Sequence, residues 1–219
     1  MIKGDEYIKK FFCCEIFKDI LEGLTLPDDL KTSFVRKELH RSPEKLHAEI
    51  QQLLNETNGY ELIILGFGLC GNALNDIKTT NCPVIMPRIH DCVPVFLGSK
   101  AKYETLHKEN MRTFYYVSSM DMVREDYERS LAKYGLNKSK RLFAAMFKNY
   151  NRFLYIHTNN SRNNKAYEEV QNFASIVELP CDEIKGSLDY LEKLINGPWD
   201  KEQFITIPPF STIKMGEFM

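Results

Sequence analysis

The sequence predicts an α/β protein, a Rossmann-like three-layer sandwich on a mainly parallel sheet. Short apolar runs alternate with amphipathic stretches, the pattern of repeated strand–helix units. Leu62–Leu65 (LIIL) is wholly apolar, as a parallel strand buried on both faces would be. A glycine-rich loop, Gly66–Asn72, follows that strand directly.

The first strand is read as Ile8–Cys14, followed by a helix over about Glu15–Gly23. A second strand runs through Ser33–Leu39. Ser42-Pro43-Glu44 then opens a helix, with serine at the N-cap and proline in the first turn. That helix buries Leu46, Ile50, Leu53 and Leu54 at helical spacing. After the LIIL strand and its loop, Cys82–Met86 forms the next strand and runs into Pro87-Arg88-Ile89-His90-Asp91-Cys92. Helices are expected at Val93–Leu97 and Lys100–Glu109, and a strand at Thr113–Val117. Two helices follow, Met122–Tyr134 and Lys138–Lys148, with Leu131, Leu142, Phe143 and Phe147 as their core positions. Arg152–His157 is a strand, Lys165–Ala174 a helix, Ser175–Leu179 a short strand and Ile184–Asn196 a helix. Phe204–Ile207 is the last strand. The 219 residues fit a single α/β domain, 1–219, with a helical insertion at about 122–148 that reads as scaffold.

A formal net charge of -1 gives no electrostatic footprint for nucleic acid or an anionic membrane. No apolar run approaches the roughly 20 residues that span a bilayer. The first residues, MIKGDEYIKKFFCCEIF, carry acids and lack a signal-peptide pattern, so a cytoplasmic location is expected. In that reducing compartment the six cysteines are packing residues, metal ligands or nucleophiles rather than disulfides.

Ligands of open parallel sheets bind outside the carboxyl ends of the strands. On this reading the first strand ends at Cys14 and the second at His40-Arg41. The third leads to Cys70, and the fourth to Arg88, His90, Asp91 and Cys92. Thiolates and imidazoles favour zinc, iron or iron–sulfur clusters over magnesium or calcium. Cys14, Cys70, His90 and Cys92 are the expected ligands, with His40 in reserve. Each also has a plainer role: His40 and His90 as hydrogen-bonders, Cys92 as packing, Asp91 as a helix cap or as the group that orients His90. Cys13, Cys82 and His157 read as structural, Cys181 as a turn residue, and His47 and His107 as surface positions. Gly66, Gly68 and Gly71 could bring backbone N–H groups to an anion. GFGLCG nevertheless lacks dinucleotide spacing and the Lys-Ser/Thr of a P-loop. Arg88 suits the carboxylate or phosphate of a small anionic substrate.

FGLCGN, PRIHDC and VFLGSKAKY, in that order, resemble the DUF1638 family of uncharacterised proteins. The family's pattern includes YGLCGN, PRxHDC, and LGS followed by tyrosine. The likeness extends to Cys14, to Leu39-His40-Arg41-Ser42-Pro43, to Thr113-Phe114-Tyr115-Tyr116 and to Leu191–Pro209. It departs at Ser118-Ser119-Met120, where Gly-Trp is expected, and at Phe210, where glycine is expected. The resemblance implies a shared site at Cys14, His40, Cys70, Arg88, His90, Asp91 and Cys92. It also implies a link to corrinoid-dependent methyl transfer, with methyltransferase activity and a corrinoid protein as partner. The Asp-x-His-x-x-Gly pattern of a cobalamin-binding domain is absent.

Three functional readings follow. A Cys/His-bound zinc would activate a thiol substrate for alkylation. An iron–sulfur cluster or transferable metal would make the protein a carrier or maturation factor. Without a metal, Cys70 would be a nucleophile with His90 as its base.

Overall fold

A computed structural model describes residues 9–158 and 164–219. In chain order the strands are β1 (Lys9–Cys14), β2 (Leu30–Val35), β3 (Leu62–Gly66), β4 (Val84–Pro87), β5 (Thr113–Tyr116), β6 (Arg152–His157), β7 (Cys181–Lys185) and β8 (Phe204–Ile207). The helices are α1 (Lys18–Leu21), α2 (Pro43–Glu56), α3 (Val93–Leu97), α4 (Lys100–Glu109), α5 (Met122–Tyr134), α6 (Leu136–Phe147), α7 (Asn164–Ile176) and α8 (Asp189–Asn196). The protein is α/β and Rossmann-like, and its chain divides into two compact units: Met1–Val95 with Asp189–Met219, and Phe96–Leu188. The expected helical insertion at 122–148 lies within the second. Ile8, expected to open the first strand, lies outside the described residues.

The first unit holds a five-stranded sheet in the order β2-β1-β3-β4-β8. The first four strands are parallel, and β8 closes the edge antiparallel to β4. Because β1 lies between β2 and β3, the connections leave it in opposite directions, which creates a topological switch point at its carboxyl end. Phe11 to Cys14 are all buried, as a central strand covered on both faces requires. On α2, Leu46, Ile50 and Leu54 face inward and Leu53 is half-buried. Ser42 stands at the N-cap, but its hydroxyl donates to Glu44 Oε2 at 3.0 Å rather than accepting from a helix N–H.

Two strands differ most from expectation, while β4 only shifts from Cys82–Met86 to Val84–Pro87. β2 starts and ends earlier than Ser33–Leu39, and Lys37–Arg41 forms a 3-10 turn instead. The polar Lys31-Thr32-Ser33 segment is strand because Lys9 to Cys14 pair with Leu30 to Val35 in register, and an edge strand tolerates polar side chains. Ser175–Leu179 is not a strand. α7 continues to Ile176, with Phe173, Ala174 and Val177 buried, and the polar CDEIK segment forms β7. α8 accordingly begins at Asp189 rather than Ile184.

The second unit contains the parallel sheet β5-β6-β7. Its core is aromatic: Tyr116, Tyr127, Phe143, Phe147, Phe153, Tyr155 and Phe173 are buried together. Several rings meet edge to face, including Tyr127–Phe143 at 5.2 Å and Phe153–Phe173 at 5.8 Å. The α5–α6 hairpin contributes Tyr127 and Ser130 from one helix, and Ser139, Phe143 and Phe147 from the other. The buried Ser130 and Ser139 hydroxyls satisfy each other at 2.8 Å. Leu142 and Leu131, expected in the core, are exposed instead.

Candidate functional site

The candidate site lies in the first unit, at the carboxyl ends of β1 and β3. Cys14 ends β1, is buried, and faces away from its neighbour because side chains alternate along a strand. Cys13 lies over Gly66 of β3, where an added Cβ would come within 2.6 Å of the Cys13 Cβ. Gly66 is therefore a packing requirement between strands.

The 3-10 turn after β2 brings His40 over Cys14, with Nδ1 3.9 Å from Sγ. The His40 ring stacks on Phe67 at 6.3 Å between centroids. Burial lowers the His40 pKa, so the imidazole stays neutral and keeps a lone pair at neutral pH.

The glycine loop and the PRIHDC segment are bound to each other. Leu69 N–H donates to the Ile89 carbonyl and Cys70 N–H to the His90 carbonyl, each at 2.9 Å. A Cβ on Gly68 would lie 2.8 Å from the Ile89 oxygen and 3.0 Å from the His90 carbonyl carbon, so only glycine permits this approach. The chain then takes three successive left-handed residues, Cys70 (φ 47), Gly71 (φ 66) and Asn72 (φ 73). A left-handed cysteine carries a steric penalty of about 1–2 kcal/mol, which the two flanking hydrogen bonds hold in place.

Burial pushes the Cys70 thiol up to about 12, and the Cys14 and Asp91 charges push the same way. Cys14 is likewise raised to about 12 by burial, against a backbone hydrogen bond from Ile16. Cys92 is pushed well above the usual thiol range by burial, then by Asp91, Cys70 and Cys14. The three sulfurs are thus close enough for a negative charge on one to oppose ionisation of another. Asp91 Oδ1 accepts from Val93 N–H at 2.9 Å and caps α3.

The structure sets His40 beside Cys14, and its main-chain bonds hold the loop of Cys70 against the segment that carries Asp91 and Cys92. His90 is exposed, and its contribution to the loop is its main-chain carbonyl. Arg88 is engaged by its own chain: it donates to the carbonyls of Lys201 (3.0 Å), Glu217 and Met219 (3.5 Å), clamping the C-terminal turn. Gly66 and Gly68 serve close packing, and Gly71 the left-handed turn. Among the described residues, no three His, Cys, Asp or Glu side chains already stand in a metal-holding arrangement.

His47, expected at the surface, is half-buried and bonded. Its Nδ1 is 2.9 Å from the Ala73 carbonyl and pins α2 to the segment after the glycine loop. The signal was its spacing, since His47 shares the helical stripe of Ile50 and Leu54. His157, read as structural, pairs with Glu183 at 2.6 Å in the second unit. Cys82 is buried, and Cys181 begins β7 rather than sitting in a turn.

Fold and site together define an α/β protein with a thiol-rich carboxyl edge at a sheet switch point. The family described as Protein of unknown function (DUF1638) matches residues 34–195, and the chain belongs to it. No curated protein and no solved structure matches the chain. No helix among the described residues is long and apolar enough to cross a membrane.

Proposed function

We propose that the protein binds a thiophilic transition-metal ion through Cys14, Cys70 and Cys92, with His40 as a reserve donor, and uses it to activate a small thiol substrate for alkylation. The observation that carries this reading is the convergence of three cysteines and a neutral histidine, from four separate chain segments, on one sheet edge. The donor set suits zinc or iron rather than magnesium or calcium. Binding requires these side chains to reorient, since among the described residues they do not stand in a metal-holding arrangement, and His40 replaces the exposed His90 as the preferred imidazole.

The electrostatics support the same choice over a free nucleophile. A catalytic thiol is ordinarily activated by a depressed pKa, whereas burial and mutual repulsion raise these three. A bound cation offsets that repulsion and deprotonates its thiol ligands outright. When bound, zinc would also hold a substrate thiol as thiolate, the form that accepts an alkyl group. Cys14, Cys70 and Cys92 would hold the ion and leave a position for the substrate thiol, His40 would stand in reserve beside Cys14, and Asp91 would fix the loop that carries Cys92. The methyl-transfer link and a corrinoid partner suit that chemistry.

Elemental analysis and a visible spectrum on protein purified without oxygen test the reading. The expected result is about one zinc per chain, lost in Cys70→Ser and in Cys14→Ser but kept in His90→Gln. Iron with acid-labile sulfide and a broad visible band would replace thiol activation with a cluster carrier. Metal-free protein that stays so after incubation with zinc or ferrous iron would end both.

A further inference from the structure

We infer that the α5–α6 hairpin is a docking surface for an acidic amphipathic helix of a partner protein. The inference is independent of the metal site and rests on charge, exposure and shape.

From Arg129 to Arg152 the chain carries seven cationic residues and no acidic one, although the whole chain has a net charge of -1. Five of these, Lys133, Lys138, Lys140, Arg141 and Lys148, stand exposed. Arg129 is turned back to Asp126, and Arg152 to Asp182. Local folding therefore does not explain the remaining excess.

Five of the ten large hydrophobic side chains exposed among the described residues lie on this hairpin: Leu131, Tyr134, Leu136, Leu142 and Met146. α6 buries Ser139, Phe143 and Phe147, while Leu142 (53% exposed) and Met146 (50% exposed) form a second apolar stripe beside that one. At the elbow, Tyr134, Lys138, Arg141 and Leu142 line a recess. Lys133 and Lys138 lie over the Tyr134 ring at 5.1 and 4.4 Å, which holds the cations beside an apolar floor.

An apolar recess bordered by cations fits an apolar anchor flanked by carboxylates, the pattern an acidic amphipathic helix presents. A bilayer surface suits the hairpin less well. A helix lying in a membrane turns one cation-free stripe outward, whereas here Tyr134 and Leu142 share their recess with Lys138 and Arg141. Nucleic acid would leave Leu142 and Met146 without apolar contacts.

The test uses the full chain and a fluorescently labelled synthetic helix with Glu on one face and Leu and Phe on the other. A scrambled peptide of equal composition, vesicles containing phosphatidylserine and a single-stranded RNA serve as alternatives. Expected is saturable binding of the amphipathic peptide, about tenfold weaker for the scramble. Lys138→Glu with Arg141→Glu, and Leu142→Gln separately, should each weaken it about tenfold without changing the thermal midpoint. Equal binding of both peptides, preference for vesicles or RNA, or no binding would overturn the inference. Self-association of the chain abolished by Leu142→Gln would also overturn it, since the surface would then serve a second copy.

Discussion

Gly68→Ala is the sharpest perturbation of the candidate site that leaves every candidate ligand in place. The new methyl group would lie 2.8 Å from the Ile89 oxygen, 3.0 Å from the His90 carbonyl carbon and 3.1 Å from the Asp91 nitrogen. All three are main-chain atoms, so no side-chain rotation relieves the contact. The loop must move away from the PRIHDC segment, which breaks or lengthens the Leu69–Ile89 and Cys70–His90 hydrogen bonds. Two bonds at roughly 1 kcal/mol each, with the backbone displacement, give a loss of about 3 kcal/mol. For a chain of this length that lowers the thermal midpoint by roughly 6–12 °C. Separating Cys70 from Cys92 should also weaken metal binding, although no donor atom is removed. Calorimetry beside competition with a chromophoric chelator measures both, with Gly216→Ala as control because its added Cβ meets nothing within 4 Å. A Gly68→Ala protein as stable as the control would refute the close-approach argument. Loss of stability with unchanged metal affinity would show that the loop does not position the site.

The metal-free protein should lose stability as pH rises above about 9, the ordinary thiol value, because Cys14 and Cys70 stay protonated in the fold toward about 12 while the unfolded chain ionises. Urea unfolding across that window checks the sign, and Cys70→Ser should flatten the loss. His40 acts at the other end: its lowered pKa makes the unfolded chain the better proton acceptor, so stability should fall as pH drops below about 6.5, with a smaller fall in His40→Gln. Arg88→Ala removes the clamp on the carbonyls of Lys201, Glu217 and Met219 and should speed amide exchange in residues 213–219. Unchanged exchange there would show that β8 and the buried Ile213 and Phe218 suffice to hold the tail.

What was legible in the sequence divides along physical lines. α3, α4, β6 and β8 match the expected bounds because their periodicity and flanking turn residues agree. The FASIVEL segment misled because a short apolar run does not distinguish a strand from a helix face, and β7 was hidden because an exposed edge strand has no apolar signature. At the site, Cys14, Cys70 and Cys92 could be placed from strand ends alone. The balance between His40 and His90 could not, since it depends on a 3-10 turn in one segment and on which way a loop side chain points in another. Leu142 illustrates the same limit. Its spacing matches the core stripe closely, yet one helical step leaves it outside.

The way the chain is shared between its two units bears on its order of assembly. The second unit is one unbroken stretch, whereas the first is made of Met1–Val95 and Asp189–Met219. During synthesis, β1 to β4 emerge early, but the strand that pairs with β4 is made only after the whole second unit. Until then β4 presents a bare hydrogen-bonding edge, the kind that recruits other strands. The nascent chain is therefore most prone to association in the interval before Phe204–Ile207 arrives. Slowed translation across residues 96–188 should prolong that interval.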